Sequence, residues 1–371
     1  MNTAYNFTFR SDDGIEIFCY CWLPSSFPDP FSTRTPLQAS AGKNATKIEK
    51  MDDSNSTLLP EVTIVQNTSD NEYDFSSSMD SLPPLKGVVQ IAHGMAEHAA
   101  RYAYFARCLN KAGYAVYAND HRGHGRSAES ESQQGYLGGK NGFDLLIADM
   151  AHLAQIAQAN HPNIPLFLFG HSMGSFASQR FLMDYPDLTD GLILSGSNGK
   201  QGAALSLGRW IAGIERTLRG DRAKSNLLNR LSFGAYNKKI APNRTPYDWL
   251  SRDEASVDRY IADPWCGAVF PTSFFTGFFD TLLYIENPKH FHKIPTSIPI
   301  IILSGDQDPV GSFGKGVAEL YNRYRSVGVQ EVIMKLYTGA RHEILNELNR
   351  DDVIQDILDF LETHTSDELT S

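Results

Sequence analysis

From Lys86 onward, short apolar runs alternate with longer stretches of helical spacing, and this alternation constrains the fold more than any other feature of the chain. Gly87–Ala92, Tyr114–Asn119, Pro165–Phe169 and Gly191–Ser195 read as strands. Arg101–Ala112, Phe143–Asn160 and Met173–Tyr185 read as the helices between them. Strands joined by helix-length crossovers have to run parallel, so the pattern predicts an α/β fold: a mostly parallel central sheet with helices on both faces. The alternation lapses over 199–295 and then resumes. Strand Ile298–Leu303, helix Gly316–Val327, strand Glu331–Leu336 and helix Glu343–Glu362 follow. An insertion at that point is expected to form a helical cap over the carboxyl ends of the strands, where open α/β sheets place their sites.

The amino-terminal part is different. Tyr5–Phe9 and Ile15–Trp22 flank Asp12-Asp13-Gly14, which predicts a hairpin. More than half of residues 25–85 are Ser, Thr, Asn, Asp or Pro. Such a composition buries little apolar surface, so a mobile, low-complexity insertion is expected there, with one short strand near Val62–Gln66. The organisation that follows has a core of 1–24, 86–198 and 296–364. The insertion 25–85, the cap 199–295 and a flexible tail 365–371 complete it.

Composition narrows the partners. Hydrophobic residues are 42% and charged residues 20%, enough for a large core. The net charge is −10 and no Lys/Arg cluster stands out, which argues against nucleic acid. Four cysteines (Cys19, Cys21, Cys108, Cys266) are too few and scattered for a disulfide framework, and read as reduced thiols. Met1–Arg10 lacks the pattern of a signal peptide, and no apolar run is long enough to span a bilayer. A cytoplasmic protein is expected, peripheral to membranes at most.

The chemistry centres on Gly170-His171-Ser172-Met173-Gly174. A bare G-x-S-x-G is a weak signal. Here an apolar strand, Pro165–Phe169, runs directly into it and a helical pattern leaves it, which is the context of a nucleophile elbow. Gly170 and Gly174 would avoid clashes in so tight a turn, and the Ser172 hydroxyl would be exposed at a helix start. A serine hydroxyl needs a base, and the base needs an orienting carboxylate. His342 follows the strand Glu331–Leu336 across a short loop and is expected to open the last helix on the same sheet edge as Ser172. Two aspartates leave the end of strand Ile298–Leu303, and periodicity does not choose between them. Pro309 holds its predecessor extended, which favours Asp308 over Asp306. Met173, after the nucleophile, and Met95, after Gly94, are expected to give the two backbone N–H donors of an oxyanion hole. His93 is read as a buried histidine that braces its loop. His93, Gly94, Gly170, His171 and Gly174 are the expected supports of the site.

Two other groups of residues compete for a role. His93, His98, Asp120, His121 and His124 form a loose ligand-like set, but the helical H-E-x-x-H spacing is missing and no metal is expected. Arg122 and Arg126 are expected to hold loops through carboxylates. Phe270, Phe274, Phe275, Phe278 and Phe279 suit one helical face, either as cap core or as the wall of an apolar channel.

Five ordered motifs carry a resemblance: His93-Gly-Met-Ala-Glu-His98 with Arg101-Tyr102, Asp120-His-Arg-Gly-His-Gly-Arg-Ser127, Gly170-His-Ser-Met-Gly-Ser175, Gly305-Asp-Gln-Asp308 and Gly339-Ala-Arg-His342. Together the chain resembles the α/β-hydrolase family of monoacylglycerol lipases and lysophospholipases, with a cap closer to bacterial members. The resemblance implies an α/β-hydrolase fold and a carboxylic-ester hydrolase with no cofactor. It implies Ser172 as nucleophile, His342 as base and Asp308 as acid, with oxyanion amides at Met95 and Met173. The expected substrate is a small single-chain acyl ester, with peripheral membrane contact through the cap. The alternatives are a short-chain carboxylesterase, an amide or peptide hydrolase, or a non-catalytic ligand-binding relative.

Overall fold

The computed structural model describes residues 3–25, 27, 62–67, 85–240 and 242–365. Nine strands form one sheet: β1 (Thr3–Arg10), β2 (Glu16–Leu23), β3 (Val62–Asn67), β4 (Gly87–Ala92), β5 (Tyr114–Asn119), β6 (Leu166–His171), β7 (Gly191–Ser195), β8 (Ile300–Gly305) and β9 (Val332–Tyr337). Their spatial order is β3-β1-β2-β5-β4-β6-β7-β8-β9. Pairings from β5 through β9 are parallel; β1, β2 and β3 add an antiparallel edge.

The helices are α1 (Ala103–Lys111), α2 (Gly142–Asn160), α3 (Met173–Asp184), α4 (Ala203–Arg219), α5 (Asn226–Phe233), α6 (Glu254–Ala262), α7 (Thr272–Glu286), α8 (Pro288–Phe291), α9 (Lys315–Ser326) and α10 (Arg350–Thr363). Helices α4 to α8 all lie between β7 and β8, where the sequence alternation lapses.

Period-two side chains explain the layering. Along β4, Val88 belongs to one core cluster and Val89 and Ile91 to the other; Leu168 and Phe169 divide likewise on β6. One face carries α2, α3, α9 and part of the insertion, through Leu146, Phe181 and Leu320. The other carries α1 and α10, through Phe105, Leu109, Ile357 and Phe360. Strands β4 to β8 are buried at every position, as strands covered on both faces must be. β9, at the edge, is buried only at Val332 and Tyr337 and is exposed or half-buried between them.

One expectation agrees with the structure and one is revised. The short segment near Val62–Gln66 is an edge strand of the main sheet, antiparallel to β1, while the rest of 26–84, apart from Phe27, lies outside the described residues, as does 366–371. The last helix starts at Arg350, not Glu343, so His342 does not open it. The intervening backbone has other partners: the His342 N–H donates to the Trp249 carbonyl (3.4 Å) and the Glu343 N–H to the Leu250 carbonyl (2.7 Å). The Glu347 carboxylate meanwhile accepts from the Arg341 and Arg252 amides (2.9 and 3.0 Å). These bonds to the insertion, and a single 3-10 turn over Ile344–Asn346, stand where the first turns of helix were expected.

Candidate active site

Strand β6 turns into α3 within one residue. Ser172 takes φ 51° and ψ −118°, a left-handed conformation that a serine holds only where its surroundings impose it. Its N–H donates to the Ser195 carbonyl on β7 (2.9 Å), and its carbonyl accepts from the Ser175 amide (2.9 Å) and hydroxyl (2.6 Å). The flanking glycines are required by space. A Cβ at Gly174 would collide with the Ala92 carbonyl, and one at Gly170 would sit 2.6 Å from the Gly174 carbonyl. Met173 is buried at the first position of α3.

The loop after β8 carries the two competing aspartates. Asp308 is fully buried, and its Oδ2 lies 3.0 Å from His342 Nδ1. It also accepts from the Val310 amide (2.8 Å) and the Ser304 hydroxyl (3.3 Å). Asp306 instead accepts from the Gly339 amide (2.8 Å) and does not meet the ring. His342 is 2% exposed and packs between the rings of Trp249 (5.0 Å between centroids) and His171 (4.7 Å). Burial alone would lower its pKa. The charge and hydrogen bond of Asp308, with Glu343 and Glu97 behind, outweigh burial and raise it above the ordinary value. With Nδ1 on Asp308, Nε2 is the nitrogen left for chemistry.

Ser172 and His342 line one cavity of about 330 Å³, together with Gly94, Met95, His171 and Glu343. Among the described residues no hydrogen bond joins the Ser172 hydroxyl to the His342 ring; such contacts commonly tighten only when substrate is bound. The far wall comes from the insertion: Phe233, Tyr247, Trp249, Leu250 and Tyr260. An aromatic and aliphatic wall facing a few convergent polar groups suits the acyl part of a small ester.

The supports are bound as follows. His93 Nε2 accepts the His121 N–H (2.9 Å), so Nδ1 carries the proton that goes to the Gly94 carbonyl (2.8 Å). Burial drives its pKa down to about 3, and the ring is a neutral brace. His171 Nδ1 lies 3.0 Å from the Ser195 hydroxyl, and burial, followed by the nearby His342, takes its pKa down to about 4. A Cβ on Gly94 would stand 3.3 Å from Ser172 Cβ and 2.7 Å from a Glu97 oxygen.

That glutamate opens a network the sequence reading missed. Glu97 accepts from the Gly94 amide (2.6 Å) and the Tyr102 hydroxyl (2.8 Å), and pairs with Arg101. Arg101 also grips Glu343 through two bonds (2.8 and 2.7 Å). All three are largely buried, so the loop after β4 and the loop after β9 are clamped through one guanidinium. Glu97 and Arg101 lie inside a quoted motif; Glu343, far along the chain, has no local signal tying it to them.

Other residues serve the frame. Arg122 is fully buried and pairs with Asp149 and Asp13 (2.7 and 2.9 Å), holding a loop through carboxylates as expected. Arg126 does not: its guanidinium lies 3.9 Å from the Phe18 ring centroid, and its amide donates to Asp120. Phe270, Phe274 and Phe275 are buried at the foot of α7, against rings such as His124 and Phe143, and do not line the cavity. Phe278 and Phe279 are half-buried against the same core, so all five rings pack where α7 meets the sheet's helices.

A strained serine elbow on a mostly parallel sheet, covered by helices on both faces, defines the class: a serine hydrolase of the α/β-hydrolase fold. The family model described as serine aminopeptidase, S33, matches residues 83–349, and the chain belongs to that family. It is 30% identical over 288 residues to a monoacylglycerol lipase of Mycolicibacterium smegmatis, covering 75% of this chain and 89% of that one. It is 26% identical to the monoglyceride lipase of Homo sapiens over 75% of this chain and 82% of the other. Among solved structures, a thermostable carboxyl esterase from Bacillus coagulans superposes with a TM-score of 0.76 at 26% identity, covering 98% of this chain and 99% of that one. The chain is a carboxylic ester hydrolase of the monoacylglycerol lipase-like kind.

Proposed function

We propose that the chain hydrolyses single-chain acyl esters, monoacylglycerols or lysophospholipids, by acyl transfer to Ser172. In this reading the Ser172 hydroxyl attacks the ester carbonyl and gives its proton to His342 Nε2. Asp308 holds the ring in the tautomer that leaves Nε2 free, and stabilises the imidazolium once it forms. The amides of Met95 and Met173 bind the oxyanion. His342 then protonates the leaving alcohol and activates the water that releases the acid. The observation that carries the reading is the buried Asp308–His342 hydrogen bond beside a cavity that Ser172 also lines. Similarity to monoacylglycerol lipases supports the lipid substrate. Ser172→Ala should fold normally, lose labelling by a fluorophosphonate and lower kcat by roughly 10⁵–10⁶-fold. Undiminished turnover in that variant would remove the proposed mechanism.

The insertion acts in this reading as a cap that meets a lipid surface. Leu207, Trp210, Ile214 and Leu218 of α4 are 41–78% exposed and fall within an arc of about 80° on the helix. The opposite face buries Leu205 and Ala212. On α5, Leu227 and Leu231 are exposed while Phe233 lines the cavity, so this helix links the outer apolar surface to the site. No helix among the described residues is long and apolar enough to cross a membrane.

The likeness to a carboxyl esterase supports a second reading, a preference for short acyl groups. A series of glycerol esters of increasing acyl length separates the two: kcat/KM should climb into the long-chain range if the lipid reading holds, and peak at short chains if it does not.

A further inference from the structure

We propose that His98, Asp263 and Cys266 form a site for a divalent transition metal of the zinc type, fastening the insertion to the loop beside Ser172. One ring nitrogen, one carboxylate oxygen and one sulfur lie within 4.8 Å of one another. His98 Nε2 already stands 2.8 Å from Asp263 Oδ2. Ligands around a tetrahedral ion at about 2.0–2.3 Å are mutually some 3–4 Å apart, so small side-chain adjustments would close the set.

The backbone holds the three together without help from an ion. The Cys266 N–H donates to the Asp263 carbonyl (3.0 Å), a turn that puts both side chains on one side. Asp263 Oδ1 accepts the Trp265 N–H (2.9 Å), leaving Oδ2 for the site. Across the gap, the Ala96 carbonyl accepts from the Gly267 amide and the Tyr260 hydroxyl, both at 3.0 Å. That pair docks the turn on the loop that carries His98. A site built on preformed backbone loses little conformational entropy when it binds.

Charge favours a cation. The Arg101 guanidinium, whose charge reaches both Cys266 and Asp263, is engaged by Glu97 and Glu343, so three carboxylates surround one guanidinium. A metal ion binds the thiolate, so it takes the place of the Cys266 thiol proton, which leaves to solvent. One nitrogen, one oxygen and one sulfur suit zinc or cobalt and not the all-oxygen preference of calcium or magnesium. Three protein ligands leave a fourth position for water.

The test titrates Co²⁺ into the full chain after treatment with chelator. The expected result is saturation at one ion per chain, a thiolate-to-cobalt charge-transfer band in the near ultraviolet, release of one proton, and displacement of Co²⁺ by Zn²⁺. Cys266→Ser should abolish the band and weaken affinity by about 100-fold or more, beyond what loss of an outer partner costs. Cys108→Ser, which alters the other half-exposed thiol, should change neither. Asp263→Asn should weaken affinity and keep the band. Zn²⁺ should raise the Tm of the unaltered chain and not that of Cys266→Ser. Absence of the band at saturating Co²⁺, or its survival in Cys266→Ser, overturns the proposal. Should Cys266→Ser misfold by circular dichroism, His98→Gln decides instead: unchanged Co²⁺ affinity there is equally fatal.

Discussion

His342 is under two opposing influences, burial that disfavours its charge and Asp308 that favours it, and the second wins. A base must be neutral to act. The proposed mechanism therefore expects kcat/KM to rise with pH and level off beyond a midpoint above 6.5, the ordinary histidine value. His171, the ring against it, has its pKa near 4 and is already neutral through that window, so the acid limb should follow a single proton. Asp308→Asn removes the main favourable charge and leaves burial opposed only by Glu343 and Glu97. The midpoint should move to lower pH, with kcat down about 10⁴-fold because the ring loses its tautomer. A pH–rate profile on a water-soluble ester measures both, and an unmoved midpoint would count against Asp308 as the partner that sets this titration.

At the scale of elements, strand and helix identities were legible because short continuous apolar runs alternate with longer stretches of helical spacing. β5 and β7 match their expected bounds, since Gly113 stops one helix and buried β-branched or aliphatic runs follow. The start of α10 was not legible. Residues 343–349 have helical spacing, yet the Glu343 amide and the Glu347 carboxylate bond to Leu250 and Arg252 of the insertion, and no local pattern announces a partner so far away. The choice between Asp306 and Asp308 turned on one proline and agrees with the contact seen at His342. Helix α4 carries a prediction of its own. Its basic residues Arg209, Arg216 and Arg219 each pair with a carboxylate, so attraction to lipid should come from the apolar face and vary little with salt. Fully burying a leucine is worth about 1.5–3 kcal/mol. Leu218→Ala should therefore weaken partition onto zwitterionic vesicles roughly tenfold, and Trp210 emission should shift to the blue on binding. Sedimentation with phosphatidylcholine vesicles checks it; equal partition of both proteins would detach the cap from any membrane role.

At the scale of the molecule, the site is an agreement between segments that follow β4, β6, β8 and β9, closed by residues of the insertion. Arg101 is where several of them meet. Its guanidinium binds Glu97, which fixes the Gly94 amide, and Glu343, which follows His342, and it lies 4.9 Å from the Tyr260 ring centroid in the insertion. Arg101→Met keeps much of the volume but leaves two carboxylates, 5% and 6% exposed, without their countercharge. Removing one member of a buried charge cluster costs about 3–5 kcal/mol, far more than the cluster as a whole contributes over an apolar replacement. The variant should thus unfold at lower urea with the slope of the transition unchanged. Adding Glu343→Gln should recover part of the loss, because one stranded charge is gone. The two changes should depart from additivity by about 1 kcal/mol or more. Strict additivity in that cycle would mean the two loops are held independently, and that the geometry around His342 does not depend on the clamp.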